Sequence, residues 1–226
     1  MSVKYTHDEK NLRLGKFIVV EGLEGAGKTT AVQTIKHYLD ILAVNTIITR
    51  EPGGTFVGEL IRKIIKEKTA EILDPYCELL LFYAARVQLL KQVIYPALAA
   101  GTWVITDRFE LSTFAYQGGG RGIPLADLTT LSKLCLNNFQ PDLIIFLDLP
   151  PEHGLLRAKQ RNNLDRIEQE SLTFFRDIYT TYKQLIVGMA NVNCIDASQP
   201  LEVVQDQIFI QLKSFCQQVL GSQRII

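Results

Sequence analysis

Residues Gly22-Leu23-Glu24-Gly25-Ala26-Gly27-Lys28-Thr29 match the pattern G-x-x-x-x-G-K-[ST]. Few short motifs constrain a fold as tightly. The glycines let the backbone curl until several N–H groups face one anion, and a helix starting there adds its positive dipole end. Lys28 is placed to reach the β and γ phosphates of a nucleotide, and the Thr29 hydroxyl to ligate Mg²⁺. The motif requires a strand before it and a helix after it. Phe17-Ile18-Val19-Val20 supplies an apolar run suited to a buried strand. From Lys28 to Leu42, Val32, Ile35, Leu39 and Leu42 recur with helical period.

The alternation continues. Val44–Thr49, Trp103–Thr106, Leu143–Leu147 and Val192–Ile195 read as further short strands. Between them lie helices expected over Val57–Lys66, Pro75 to about Ala100 with a bend at Pro96, and Leu111–Tyr116 with a break at Gly118-Gly119-Gly120. Pro124–Asn138, Pro151–Arg161, Leu164–Met189 and Leu201–Leu220 follow as helices. Apolar strands rich in Ile and Val, alternating with helices, predict a parallel sheet covered on both faces. The expected class is α/β: a P-loop NTPase three-layer sandwich around a five-stranded parallel sheet. One domain is expected over residues 15–226, after a polar, poorly ordered extension at 1–14.

Charge and cysteine content narrow the partners. The 226 residues carry 24 Lys+Arg against 24 Asp+Glu, so the formal net charge is zero. A polymer of phosphates is normally held by a basic excess, so no nucleic-acid partner is expected. No apolar run approaches the length of a membrane helix, so no membrane partner is expected either. The scattered cysteines 77, 135, 194 and 216 form no C-x-x-C and no zinc pattern. A reduced, cytoplasmic chain is the simplest reading. The zero charge is an average, because seven of eleven arginines (50, 62, 86, 108, 157, 161, 166) fall in segments assigned below to one crevice or its lid.

A phosphate loop implies a nucleoside triphosphate but no particular reaction. The chain lacks an N-K-x-D guanine signature. A kinase of a small acceptor and a conformational ATPase both remain open at this point. In an open α/β sheet, ligands bind at the carboxyl ends of the strands. Arg50-Glu51 ends the second strand and Asp107-Arg108 the third, so both face the crevice that holds the loop. Two arginines there suit a clamp on a second phosphate. Asp107 stands where a carboxylate organises Mg²⁺. Glu24, inside the loop, is repelled by the bound anion and is free to accept from an acceptor hydroxyl.

Longer motifs sharpen this. E-G-L-E-G-A-G-K-T-T, T-R-E-P-G-G-T, D-R-F-x-x-S-T-x-A-Y-Q-G-G-G-R-G, L-D-R-I-E-Q-E and I-D-A-S resemble those of bacterial thymidylate kinases, from about Lys16 to Val204. The resemblance implies a nucleoside monophosphate kinase fold and transfer of the γ-phosphoryl of ATP to dTMP with Mg²⁺, usually in a homodimer. It implies that Arg108, with Arg50, orients the dTMP phosphate and that Glu24 accepts from the 3′-hydroxyl. Phe82 would stack on thymine, and Arg86 would hydrogen-bond its 4-carbonyl. Tyr116 would lie where a 2′-hydroxyl would sit. Thr113 and Gln117 are similar to family residues near the base, Ser112 joins them as an expected dTMP-binding residue, and Arg62 matches a family arginine bordering the thymine pocket. Glu51 would act with Asp107 and Thr29 around Mg²⁺. Thr30 extends the phosphate-binding run.

The chain has no basic residue at the variable positions of the loop, and resembles members that supply arginine from a lid at about 153–168. Arg161 is the expected arginine on the transferring phosphoryl, with Arg157 second and Arg166 a brace. Asp196-Ala197-Ser198 would surround adenine through backbone groups. Phe109 departs from the Tyr or His common at its position. A kinase of another nucleoside monophosphate (UMP or CMP), or of a deoxynucleoside, is the alternative.

Overall fold

A computed structural model describes residues 14–68, 71–160 and 164–221. The extension expected at 1–14 lies outside the described residues except for Leu14, which is exposed.

The chain runs β1 (Phe17–Gly22), α1 (Lys28–Ile41), β2 (Thr46–Arg50), α2 (Phe56–Lys66), α3 (Pro75–Leu89), α4 (Tyr95–Ala99), β3 (Trp103–Asp107) and α5 (Glu110–Thr113). It continues with α6 (Leu125–Leu136), β4 (Leu143–Asp148), α7 (Pro151–Lys159), α8 (Leu172–Leu185), β5 (Val192–Asp196) and α9 (Leu201–Leu220). The strands form one parallel sheet in the order β2-β3-β1-β4-β5. Five parallel strands between two helical layers are the architecture the sequence implies.

Alternation along β1 builds both layers, since successive side chains of a strand point to opposite faces. Ile18 and Val20 join Ile35, Leu39, Ile208 and Leu212 of α1 and α9 in one core. Phe17 and Val19 join Leu79 and Leu89 of α3 and Leu128 of α6 in the other. Ile35, Leu39 and Leu212 are completely buried, and each such side chain contributes ~1.5–3 kcal/mol. β1 lies between β3 and β4, so chain direction across the sheet switches at its carboxyl end, where a crevice opens.

Three expected helices differ. The long helix from Pro75 widens into a π-helical stretch at Leu90–Ile94 before α4, rather than simply bending at Pro96. Pro96 has no N–H to donate and its ring crowds the carbonyl four residues back, which a widened turn relieves. The helix begun at α5 does not break at Gly118. It continues as a π-helix over Phe114–Gly120. There the glycines serve close packing, since a Cβ on Gly119 would lie 2.2 Å from Thr181 Oγ1 and one on Gly120 2.5 Å from Phe174. The helix expected from Leu164 starts only at Leu172. Asp165 turns the preceding chain by accepting from the N–H groups of Ile167 (3.0 Å) and Glu168 (2.9 Å). Ser171 then caps α8 by accepting from Phe174 N–H.

Candidate active site

The carboxyl ends of β1, β2 and β3 open into one cavity of about 510 Å³. At its floor, Gly22, Gly25 and Gly27 take φ of 144°, 74° and 92°, a region that disfavours side chains. Gly27 caps α1 without a side-chain bond to the helix, so the first amide donors face outward from the loop. A Cβ on Gly25 would lie 2.1 Å from the carbonyl of Gly154, because α7 backs directly onto the loop. Leu23 and Ala26 are buried beneath it. Lys28 folds over the loop and donates to the carbonyls of Gly22 (3.1 Å) and Leu23 (2.8 Å). Burial and the nearby Arg108 charge lower its ammonium to about 8. Thr29 lines the cavity.

Thr30 borders a second cavity of about 170 Å³, whose far wall includes Ala197, Gln199 and Gln205. Arg157 lies between the two cavities and donates to Ala197 O at 3.1 Å.

Across the cavity stands Arg108, with φ of 70°, a strained value for a residue with a side chain. The turn is held from behind by Glu21, which is completely buried. Glu21 accepts from Phe109 N–H (2.9 Å), Ser112 Oγ (2.7 Å) and Tyr182 OH (2.9 Å). Burial pushes the Glu21 carboxyl upward against these bonds. So fixed, Arg108 donates to Glu24 (2.6 Å), Tyr116 OH (2.9 Å) and Ser112 Oγ (3.1 Å). Tyr116 OH completes the triangle with Glu24 at 2.5 Å. Glu24 thus turns from the loop toward Arg108 and Tyr116. Arg50 also lines the cavity, and its guanidinium pairs with both oxygens of Glu59 at 2.9 Å.

The far end holds Arg86, 1% exposed. It bonds Glu51 (2.7 Å), Phe109 O (3.1 Å) and Thr113 Oγ1 (2.9 Å), and its Nη1 has no partner among the described residues. An unpaired donor so deeply buried is unusual and suits a carbonyl of a bound base. Phe82 is half-buried and lines this end with Thr113 and Gln117, while Leu79 beside it is in the core. Arg62 lines the wall and donates to Pro52 O at 2.9 Å. Phe109 packs edge-on against Phe17 and leaves Arg108 in place.

For a metal, the oxygen donors suit Mg²⁺. Asp107 Oδ1 and Glu51 Oε1 are buried without a partner among the described residues, and Thr29 lines the same cavity. Mg²⁺ commonly takes one or two carboxylates and keeps several waters. Burial, opposed by Arg86, pushes the Glu51 carboxyl up to about 7.

Arg161 lies outside the described residues. Arg166 braces the wall, donating to Ile65 O at 2.8 Å and to Glu78. Glu21, Tyr182, Glu78 and Arg121 were not singled out by sequence. The first glutamate of E-G-L-E-G-A-G-K-T-T could have flagged Glu21, and the arginine after Gly118-Gly119-Gly120 could have flagged Arg121; Tyr182 and Glu78 carry no local signal.

The glycine-rich loop and a partly buried arginine, Arg108, share one crevice. Together they define a P-loop protein with the layout of a nucleotide kinase. A family model described as thymidylate kinase matches residues 20–208. A thymidylate kinase of Legionella pneumophila (strain Corby) is 53% identical over 202 residues, covering 89% of this chain and 95% of that protein. One from strain Paris is 52% identical over 202 residues, with the same coverage. The chain belongs to the thymidylate kinase family.

Proposed function

We propose that the chain transfers the γ-phosphoryl group of ATP to dTMP, giving ADP and dTDP. The carrying observation is Arg108, held by Glu24, Tyr116 and Ser112 across the cavity from the phosphate loop. An arginine so placed suits an acceptor that brings its own phosphate.

ATP phosphates enter the loop, and Lys28 leaves the carbonyls of Gly22 and Leu23 for them. Arg157 and the Asp196–Ser198 turn border the adenine. Arg108 and Arg50 receive the dTMP phosphate, Glu24 the 3′-hydroxyl, and Tyr116 packs against the deoxyribose. Phe82, Arg86, Arg62, Thr113 and Gln117 surround thymine. An oxygen of the dTMP phosphate attacks the γ-phosphorus, and the bond to the β,γ-bridging oxygen breaks with ADP as leaving group. The attacking oxygen is already anionic, so no strong general base is needed. Catalysis is positioning plus charge stabilisation by Lys28, Arg108 and the lid arginine Arg161. Mg²⁺, when held by Thr29, Asp107 and Glu51, supplies further neutralisation of the phosphates.

The chain acts as one kinase domain over 15–226, in the cytoplasm. No described helix is long and apolar enough to cross a membrane. Phe56, Leu60 and Ile64, exposed on α2, support a homodimer; sedimentation at micromolar concentration reads its mass. The function is tested by ³¹P NMR of ATP, Mg²⁺ and dTMP with enzyme. The reading expects equal accumulation of ADP and dTDP; ADP with unchanged dTMP would exclude it.

A further inference from the structure

Glu78 stands in the first turn of α3, 1% exposed, behind the cavity wall rather than in it. One oxygen accepts from Gln117 Nε2 (2.9 Å) and Arg121 Nε (3.2 Å). The other is held by Arg166, with Arg121 Nη2 at 3.4 Å. Arg166 also ties its segment to the end of α2 through Ile65 O. Burial pushes the Glu78 carboxyl upward, but the Arg166 hydrogen bond, the Arg121 charge and the Gln117 bond hold it below the ordinary range. It is therefore an acceptor only.

An acceptor-only partner settles which way a neighbouring amide points. Gln117 must give its NH₂ to Glu78, which turns its carbonyl oxygen away from Glu78. Gln117 lines the base end of the cavity with Phe82 and Arg86. Glu78, Phe82 and Arg86 recur every four residues, so one helix face carries the base pocket and its anchor. An amide oxygen suits a base edge that donates there, such as the N3–H of a pyrimidine imide. It rejects an aminopyrimidine, whose N3 is itself an acceptor.

We propose that Glu78 is a positioning residue for base specificity, fixing the Gln117 amide so that the cavity accepts an imide base and refuses an aminopyrimidine. The inference rests on the dTMP kinase reading. The test is Glu78→Gln. In that variant Arg166, a donor only, takes the new amide oxygen in place of the one it holds now. The new NH₂ then faces Gln117, whose oxygen can meet it, and Arg121 Nε, a donor that must turn away. Gln117 reverses and presents NH₂ to the base.

Steady-state kinetics with dTMP and with dCMP read the result. The ratio of kcat/KM for dTMP to that for dCMP should shrink about tenfold or more, mainly through KM, with KM for ATP unchanged within twofold. Glu78→Asp, which remains acceptor-only, should keep the wild-type ratio even if it melts lower. A Glu78→Gln enzyme with an unchanged ratio overturns the proposal, whatever its stability, and so does a Glu78→Asp enzyme that loses the ratio. If Glu78→Gln does not fold, the charge-balanced pair Glu78→Gln with Arg121→Gln takes its place with the same expected ratio. Wild-type enzyme is assayed alongside: no turnover of dTMP there defeats the kinase reading itself, whereas active wild type with an unmoved ratio defeats only the role of Glu78.

Discussion

Arg108 donates to Glu24 at 2.6 Å, bridging the end of β3 and the phosphate loop. On the proposed function the two groups separate around the acceptor, Arg108 taking its phosphate and Glu24 its hydroxyl. Arg108→Ala should therefore raise KM for dTMP. Losing charge-assisted hydrogen bonds costs ~2–3 kcal/mol, or roughly 30- to 150-fold. KM for ATP should change less than threefold. Initial rates with each substrate varied would show it, and equal loss of both affinities would count against the clamp.

If Lys28 meets the ATP phosphates as proposed, it sets a pH limit on ATP capture. Its ammonium is lowered to about 8 in the free protein, so the cation is lost as pH rises through that value. Bound phosphates pull it back upward. The kcat/KM for ATP reports the free enzyme and kcat the bound complex. The first should fall above about pH 8 while kcat holds to higher pH. A profile of kcat/KM flat from pH 7.5 to 9.5 would be incompatible with Lys28 as described.

The phosphate loop leans on α7 through Gly154, where an added Cβ would lie 2.4 Å from the carbonyl oxygen of Glu24. Backbone cannot yield cheaply, and such overpacking costs ~1–3 kcal/mol. Gly154→Ala should lower kcat/KM for ATP by about tenfold with a modest drop in melting temperature. Wild-type ATP kinetics in this variant would show that the loop does not depend on α7.

How far could the sequence be read? Contiguous features were legible. The phosphate loop spans eight residues, and the Ile- and Val-rich strands between turn residues gave the sheet. Phe82 was legible only through family resemblance, because Leu79, Leu80 and Leu81 beside it suggest core. The supports of the site were not legible. Tyr182 meets Glu21 across 161 residues of chain, and Arg166 meets Glu78 across 88. Neither pair leaves a periodic trace. Gly118–Gly120 misled in a different way, since glycine marks a helix break and a close helix contact alike, and only packing against α8 decides.

The lid arginines should divide their work. Arg157, tied to Ala197 beside the second cavity, is assigned to ATP binding in the proposed function, so Arg157→Ala should act mainly on KM for ATP. Arg161 is assigned to the transferring phosphoryl, so Arg161→Ala should lower kcat by ~10³-fold, the scale of an arginine finger. Single-turnover rates would separate the two, and an Arg161→Ala enzyme within threefold of wild type would remove Arg161 from that role.

The central claim is that this crevice phosphorylates dTMP. A coupled ADP-release assay, with ATP, Mg²⁺ and each nucleoside monophosphate in turn, tests it most directly. The account predicts that dTMP gives the highest kcat/KM of the panel and that UMP and CMP turn over far more slowly. Turnover with UMP or CMP, and none with dTMP, would contradict it.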